Sequence, residues 1–379
     1  MARRVAVTVA AVHASRLARV HQAMERLDVD VVLLSVGADL PWLTGYEAMP
    51  LERLTMLVVP RDDLAHLVVP NLEVPRVVER PDVLRVHGWS ETEDPVDVVA
   101  ELAGRPATVA VGDRTWSRFL LALQHRIEGA RWQSAGAVVG PLRARKDDEE
   151  IVALRRAAAA ADRVAAALQA GEIPLVGRTE AQVSAELGRR LLAEGHQRVN
   201  FAIVAAGADA ASPHHEPGDR VIGADELVLC DFGGTMLAPG GAGYCSDITR
   251  CVHTGPVPAE VAELYSVLHD AQQAAVAAAV VGTPCEQVDA AARQPIAAAG
   301  FGDRFIHRTG HGIGIEEHED PYIVAGNDQP LASGHAFSIE PGIYLPGRVG
   351  ARLEDIVVAT EAGPVALNQA NHELVVVDA

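Results

Sequence analysis

The sequence predicts an α/β domain followed by an α+β domain built twice on one plan. Three observations carry that expectation. The chain has 379 residues, the length of two ordinary domains. Roughly the first 140 residues alternate short β-branched runs with helical periodicity. Beyond them, two helical stretches precede a pair of strand-like runs, and the same order then recurs. Hydrophobic residues make up 49% and charged residues 22%, so a sizeable core is available without covalent staples.

Ser15 is placed to cap a helix whose apolar face is Leu17, Val20, Met24 and Leu27. The run Val29–Leu34, broken only by Asp30, reads as a buried strand. Leu54–Val59, Ala65–Val69 and Thr108–Val111 read as further strands, with Asp94–Leu102 helical between them. No glycine-rich phosphate loop occurs there, so nucleotide binding has no support. The first domain is set at residues 1–140 and the second at 141–379. Pro141 to Lys146 leads into Asp147-Asp148-Glu149-Glu150, acids that favour a helix N-terminus. That Ala-rich helix runs to about Leu168, and Thr179 with Gln182 forms a capping box for the next, to about Glu194. Val199–Ala205, Glu226–Phe232 and Gly243–Val252 read as strands. The order then repeats. A helix with Pro258 in its first turn runs to about Val281, another spans Glu286–Ala299, and strands follow at His335–Glu340 and Glu354–Thr360.

A net charge of −19 argues against nucleic acid or an anionic membrane surface as the main partner. The four cysteines, Cys230, Cys245, Cys251 and Cys285, form no CxxC pair and read as core thiols in a reducing, cytoplasmic setting. Arg3-Arg4 precede the apolar run Val5–Val12, but the run is short, contains Thr8 and leads straight into a helix, which disfavours a secretory leader. No stretch approaches the ~18–20 uncharged apolar residues of a membrane span.

Acids inside strand-forming, apolar runs carry the chemistry. Asp231 lies in Leu227-Val228-Leu229-Cys230-Asp231-Phe232-Gly233-Gly234, and Asp247 in Tyr244-Cys245-Ser246-Asp247-Ile248. A buried carboxylate is costly unless a cation pairs with it. Taken alone, Asp231 also reads as a strand-end turn residue. The second pair of runs, Phe337-Ser338-Ile339-Glu340-Pro341-Gly342 and Arg352-Leu353-Glu354-Asp355, repeats the arrangement with glutamates. Four carboxylates converging on one face repel one another without cations, and an oxygen-rich set suits hard or borderline divalent ions such as Mn²⁺. Between the pairs lies Thr309-Gly310-His311-Gly312, with His307 four positions before His311 and His318 seven after it. Glycines on both sides of His311 allow close backbone approach to a metal or ligand. The acid spacing does not fit an EF-hand, and no Gly-x-Ser-x-Gly elbow is present.

These motifs resemble the Xaa-Pro peptidase family, which includes prolidase, aminopeptidase P and, more distantly, methionine aminopeptidase. The resemblance covers nearly the whole chain. Asp39-Leu40-Pro41-Trp42-Leu43-Thr44-Gly45-Tyr46 is similar to a segment of the family's N-terminal domain, and Arg145-Lys146-Asp147 to the start of its catalytic domain. It implies a creatinase-like N-terminal α/β domain and a pita-bread α+β catalytic domain with an internal pseudo-twofold repeat. It implies that Asp231, Asp247, His311, Glu340 and Glu354 hold two divalent metal ions, Mn²⁺ first and Co²⁺ or Zn²⁺ next, with Asp247 and Glu354 bridging. His318 and His214 match histidines that meet the scissile peptide, His215 being the adjacent competitor for the second match. His307 matches a substrate-contacting histidine, and Arg352 an arginine that supports the site's hydrogen bonds.

The implied reaction is hydrolysis of the bond before proline in a di- or oligopeptide, by water activated between two cations. Glu340 moves the proton, and His318 and His214 stabilise the oxyanion. An Xaa-Pro dipeptidase is the first reading. An aminopeptidase P acting on longer peptides is the alternative, and an inactive partner-binding module is disfavoured because all five ligand positions are filled. A homodimer is also implied. Two departures stand out. Asp231 and Asp247 are further apart than is common in the family, through an insertion at Ala238-Pro239-Gly240-Gly241. Tyr322 stands where some prolidases carry an arginine that holds a dipeptide's carboxylate.

Overall fold

The computed structural model describes residues 2–78 and 80–377. The chain divides into two compact units, Met1–Arg143 with Ala238–Ala242, and Ala144–Leu237 with Gly243–Ala379.

The first unit runs α1 (Ala2–Leu27), β1 (Val31–Leu34), α2 (Asp39–Thr44), β2 (Met56–Pro60), β3 (Ala65–Pro70), β4 (Leu84–Trp89), α3 (Pro95–Ala103), β5 (Thr108–Val111), α4 (Ser117–Arg126), β6 (Arg131–Ser134) and α5 (Gly136–Ala144). Its sheet has the order β4-β3-β2-β1-β5-β6. β1 pairs antiparallel with β2 and parallel with β5. Alternate strand residues Val31, Leu33, Met56, Val58, Val109 and Val111 meet Val96 and Val99 of α3 and Phe119 and Leu123 of α4. Each such burial contributes roughly 1.5–3 kcal/mol before entropy is counted. Ser15 proves to lie mid-helix rather than at a cap. Good helix formers around it, Ala10, Ala11 and Ala14, carry the helix through. Leu17, Val20 and Met24 are buried as expected, while Leu27 in the last turn is exposed. α2 and α4 carry too little periodic sequence to be foreseen.

The insertion Ala238–Ala242 belongs to this unit. It seats against the turn that ends α2. Gly45 (φ +71°) and Gly241 (φ +92°) face each other so closely that a Cβ on either would stand 2.2 or 2.3 Å from a carbonyl oxygen of the other segment. Only glycine fits both the positive φ and that approach.

The second unit runs α6 (Asp148–Gln169), α7 (Glu180–Ala193), β7 (Arg198–Ala206), β8 (Leu227–Leu237), β9 (Gly243–Cys245), β10 (Ile248–His253), α8 (Ala259–Ala278) and α9 (Cys285–Ala298). There follow β11 (Gly310–Gly312), β12 (Glu319–Ile323), β13 (Ala336–Ile339), β14 (Gly342–Leu345), β15 (Val349–Arg352), β16 (Asp355–Thr360), β17 (Gly363–Ala366) and β18 (Val375–Val376). Asp147 with Glu150, and Thr179 with Gln182, form reciprocal capping boxes at α6 and α7. Pro258 serves as the N-cap of α8 rather than lying in its first turn.

Among the described residues three sheets form, β18-β10-β8-β7 with β9 on β8, β12-β11-β13-β16-β17, and the two-stranded β14-β15. The period of two sorts β8. Val228, Cys230 and Phe232 pack with Val164 and Leu168 of α6 and Val183 and Leu187 of α7. Leu227 and Leu229 join the other core with Leu264 and Leu268 of α8 and Val288 of α9. Asp231 therefore projects on the face turned away from α6 and α7.

The expected strand Gly243–Val252 breaks at Ser246-Asp247 into β9 and β10. Ser246 Oγ causes the break. It accepts from Gly234 N at 3.1 Å and lies 2.9 Å from His196 Nε2, so it takes the place of a backbone acceptor while Ser246 N still donates to Gly234 O at 2.8 Å. All four cysteines are buried and free. Among the described residues, no helix is long and apolar enough to cross a membrane.

Candidate metal centre

The two strand pairs deliver their acids in matching ways. Asp231 lies within β8, opposite Thr249 of the antiparallel β10, and Asp247 stands one residue before β10. Glu340 follows β13 by one residue, and Glu354 precedes the antiparallel β16 by one. Each return strand is thus preceded by an acid on a short non-strand link. β11, beside β13, brings His311 between them.

The side chains converge on the floor of a cavity of about 470 Å³, within the usual range for small-ligand sites. Asp231, Asp247, His311, Glu340 and Glu354 all line it, with His214, His307, His318 and Arg352. One ligating atom from each of Asp247, His311 and Glu354 lies within 4.8 Å of the others. His311 Nε2 stands 3.2 Å from Glu340 Oε1 and 3.8 Å from Asp247 Oδ2. His311 Nδ1 lies 3.1 Å from Gly312 O. A carbonyl only accepts, so Nδ1 carries a proton, and Nε2 is the ring nitrogen turned to the acids. The flanking glycines are also required by the sheet. A Cβ on Gly310 would stand 1.8 Å from Ser338 O, and one on Gly312 2.2 Å from Asp320 O. They let β11 fit between β12 and β13.

The electrostatics call for cations. Burial, then Glu354, Asp231 and Glu340, push Asp247 well above the usual carboxylate range. Burial, then Glu340 and Asp231, do the same to Glu354. Burial raises Asp231 as well, against the opposing charge of Arg352. Burial would also raise Glu340, but the hydrogen bond and charge of His311 outweigh it and hold that group down at about 2. Asp231 Oδ1 is buried with no hydrogen-bond partner, while its Oδ2 accepts from Arg352 at 2.5 Å. An orphaned carboxylate oxygen in a cavity shared with three other acids is what a bound cation satisfies. The donor set of four carboxylates and one imidazole fits divalent ions.

Around this floor stands a ring of supports. Arg352 Nε donates to Thr249 Oγ1 at 3.1 Å, and Thr249 Oγ1 donates to Glu354 Oε2 at 2.7 Å. Arg352 Nη1 donates to Tyr344 OH at 2.9 Å, and that hydroxyl lies 2.9 Å from His307 Nε2. His307 Nδ1 donates to Arg308 O at 2.7 Å, so both its ring nitrogens are engaged within the protein. The His307 ring lines the cavity. Ser338 Oγ donates to Glu340 Oε1 at 3.1 Å. Thr249 was readable from strand alternation, since it lies two positions past Asp247. Tyr344 and Ser338 carried no signal of their own.

The structure separates His214 from His215. His214 is exposed to the cavity. His215 turns the other way, its Nε2 lying 2.7 Å from Glu180 Oε2, and Glu180 Oε1 accepts from Ala206 N at 2.9 Å. Glu180, fully buried in the first turn of α7, anchors the segment that presents His214. The sequence reading did not single it out. Glu180→Gln is expected to lower kcat by about 10–100-fold at unchanged metal content, because a misplacement of about 1 Å is costly in a site of this kind. Steady-state kinetics beside metal analysis checks this; an unchanged kcat would dismiss the anchor.

The pattern of metallopeptidase family M24 matches residues 152–361, and that of the creatinase/prolidase N-terminal domain matches residues 16–145. The probable dipeptidase PepE of Mycobacterium tuberculosis is 45% identical over 372 residues, 97% of either chain. The crystal structure of dipeptidase PepE from Mycobacterium ulcerans superposes with a TM-score of 0.88 at 43% identity, covering 97% of this chain and 98% of that one. A recombinant prolidase from Thermococcus sibiricus gives 0.87 at 33% identity, over 95% of this chain and 98% of its own.

Proposed function

Because the chain belongs to metallopeptidase family M24 and carries a creatinase/prolidase N-terminal domain, we propose that it is an Xaa-Pro dipeptidase acting with two divalent cations. Its fold is a creatinase-like α/β domain followed by a pita-bread catalytic domain, shared with its solved relatives along almost the whole chain. We assign residues 1–140 to the former and 141–379 to the latter. The observation that carries the reading is the cavity floor itself, where four buried carboxylates and one imidazole converge around an unsatisfied Asp231 Oδ1. Relatives named dipeptidase and prolidase favour a dipeptide over a longer substrate.

Asp231, Asp247, His311, Glu340 and Glu354 would hold the cations. When bound, these lower the pKa of a shared water and polarise the scissile carbonyl. Mn²⁺ is the assignment, with Co²⁺ or Zn²⁺ next, since the donors are mostly carboxylate oxygens. Glu340 accepts the proton of the attacking water and delivers it to the leaving proline nitrogen. Its Oε2 is the freer oxygen, 3.9 Å from Arg352 Nε, while Oε1 takes the hydrogen bond from Ser338. Burial, then the charge of His311, pushes His318 down to about 4, so it is neutral at pH 7. Arg308 Nη2 lies 3.3 Å from His318 Nδ1. A guanidinium only donates, so the imidazole proton sits on Nε2 and can be given to the developing oxyanion. His214, lining the same cavity, would meet the carbonyl as well. The same reading carries a homodimer and a cytoplasmic location, the latter in keeping with four buried, free cysteines.

The test is hydrolysis of Ala-Pro against Ala-Pro-Ala after chelation and re-addition of Mn²⁺. Ala-Pro is expected to be cleaved at least ~10-fold better in kcat/KM, and only with metal present. Preference for Ala-Pro-Ala would make the protein an aminopeptidase P. Failure to cut before proline would overturn the reading.

A further inference from the structure

Two arginines line the cavity, and only one is committed to the carboxylates. Arg352 is held by Asp231, Thr249 and Tyr344. Arg308, between His307 and β11, has no carboxylate partner among the described residues, Glu317 at the same cavity included. Its guanidinium carbon stands 4.5 Å from the Tyr322 ring centroid. One of its amino groups reaches His318 Nδ1 at 3.3 Å, which leaves its other N–H donors free. A guanidinium resting on an aromatic face keeps its hydrogen-bonding edge available, and that edge matches a carboxylate in two parallel bonds.

We infer that Arg308 is the residue that binds the free α-carboxylate of a dipeptide substrate, with Tyr322 as the platform beneath it. The inference rests on the dipeptidase reading above. Position 322, where some prolidases carry an arginine, holds a tyrosine here; the structure brings a guanidinium to that same ring from position 308 instead.

The spacing agrees. The His318 ring centroid lies 3.9 Å from that of His311, and Arg308 Nη2 stands 3.3 Å from His318 Nδ1. In an Xaa-Pro dipeptide the carboxylate carbon lies two covalent bonds beyond the scissile nitrogen, roughly 2.5 Å away. A cation just past the side chain that faces the scissile carbonyl is therefore placed to meet it. In a longer peptide that position holds an amide, which carries no charge to pair.

The experiment compares Ala-Pro with Ala-Pro-amide, whose C-terminus is neutral, for the Mn²⁺-loaded wild type, Arg308→Ala and Arg308→Lys. The acid-over-amide ratio of kcat/KM is expected to fall by about 10–100-fold in Arg308→Ala, chiefly through KM on the acid, with Arg308→Lys between. An unchanged ratio overturns the inference, whether both substrates suffer equally, as loss of His318 positioning alone predicts, or neither does. Should the wild type cleave Leu-Ala but no bond before proline, the Xaa-Pro reading fails by itself. The ratio is then taken on Leu-Ala and its amide, and the carboxylate assignment stands or falls on that.

Discussion

Glu354→Gln is expected to lower kcat/KM by at least ~10³-fold and to reduce bound metal below two ions per chain, since the loss of one of the carboxylates that would hold the cations removes several kcal/mol of transition-state stabilisation. Glu354 is 2% exposed on the link before β16, and its Oε2 already accepts from Thr249. The amide keeps the shape and an acceptor for Thr249, so the fold is spared while the charge is gone. Its raised pKa is the other half of the argument. Burial and the charges of Glu340 and Asp231 oppose ionisation of this group, which is tolerable only where cations restore it. Elemental analysis after gel filtration, beside hydrolysis of Ala-Pro, reads both effects. Full activity with two ions bound would remove Glu354 from the centre. Glu354→Ala extends the test, because it removes the remaining oxygen as well.

Arg250→Met is expected to destabilise the protein by about 3–5 kcal/mol, which for a unit of this size lowers Tm by roughly 6–20 °C. Arg250 is fully buried in β10. It donates to Thr249 O at 2.9 Å, Glu354 O at 2.6 Å, Asp355 Oδ1 at 2.7 Å, Asn371 O at 2.9 Å and Ala370 O at 3.0 Å. Methionine fills the space but leaves Asp355 buried with only His372 and Gln272. Burial alone would raise Asp355; the hydrogen bond from His372 and the charge of Arg250 outweigh it and hold the group below its ordinary value. A depressed carboxyl contributes stability above its unfolded pKa of about 3.9, and that contribution is lost as pH falls through the folded value. In Arg250→Met that contribution is reduced, so the deficit relative to wild type should be largest at neutral pH and shrink as pH falls. Denaturant unfolding at pH 7 and near pH 4 measures both changes. A loss under 1 kcal/mol at pH 7 contradicts the account, and Arg250→Met with Asp355→Leu should recover part of the loss, because no lone charge then stays buried.

Much of the architecture was legible because each element announces itself locally. The capping residues Thr179 and Gln182 mark the start of α7. Alternation in β8 puts Asp231 and the Val228 series on opposite faces. The repeated acid-bearing strand pairs pointed to one centre, and the structure brings those side chains to one cavity floor. Where local signals conflict, the reading slipped. Ser15 looked like a cap because its hydroxyl qualifies, but the alanines before it continue the helix. Gly243–Val252 looked like one strand because every residue but the Ser246-Asp247 pair suits one; the break depends on His196 and Gly234, remote in sequence.

By itself, then, the sequence determined the residue types able to hold divalent cations, their placement on a repeated strand plan, and the family. Tertiary structure decided which neighbours those residues answer to. It turned His215 to Glu180 and left His214 to the cavity. It engaged both nitrogens of His307. It laid Arg308 over Tyr322, where sequence alone showed only a missing arginine. The reason is physical. Backbone period and ligand type are set by residues near one another in the chain, whereas proton positions, free hydrogen-bonding edges and pKa shifts are set by whatever packs within a few ångströms, and those partners come from distant segments.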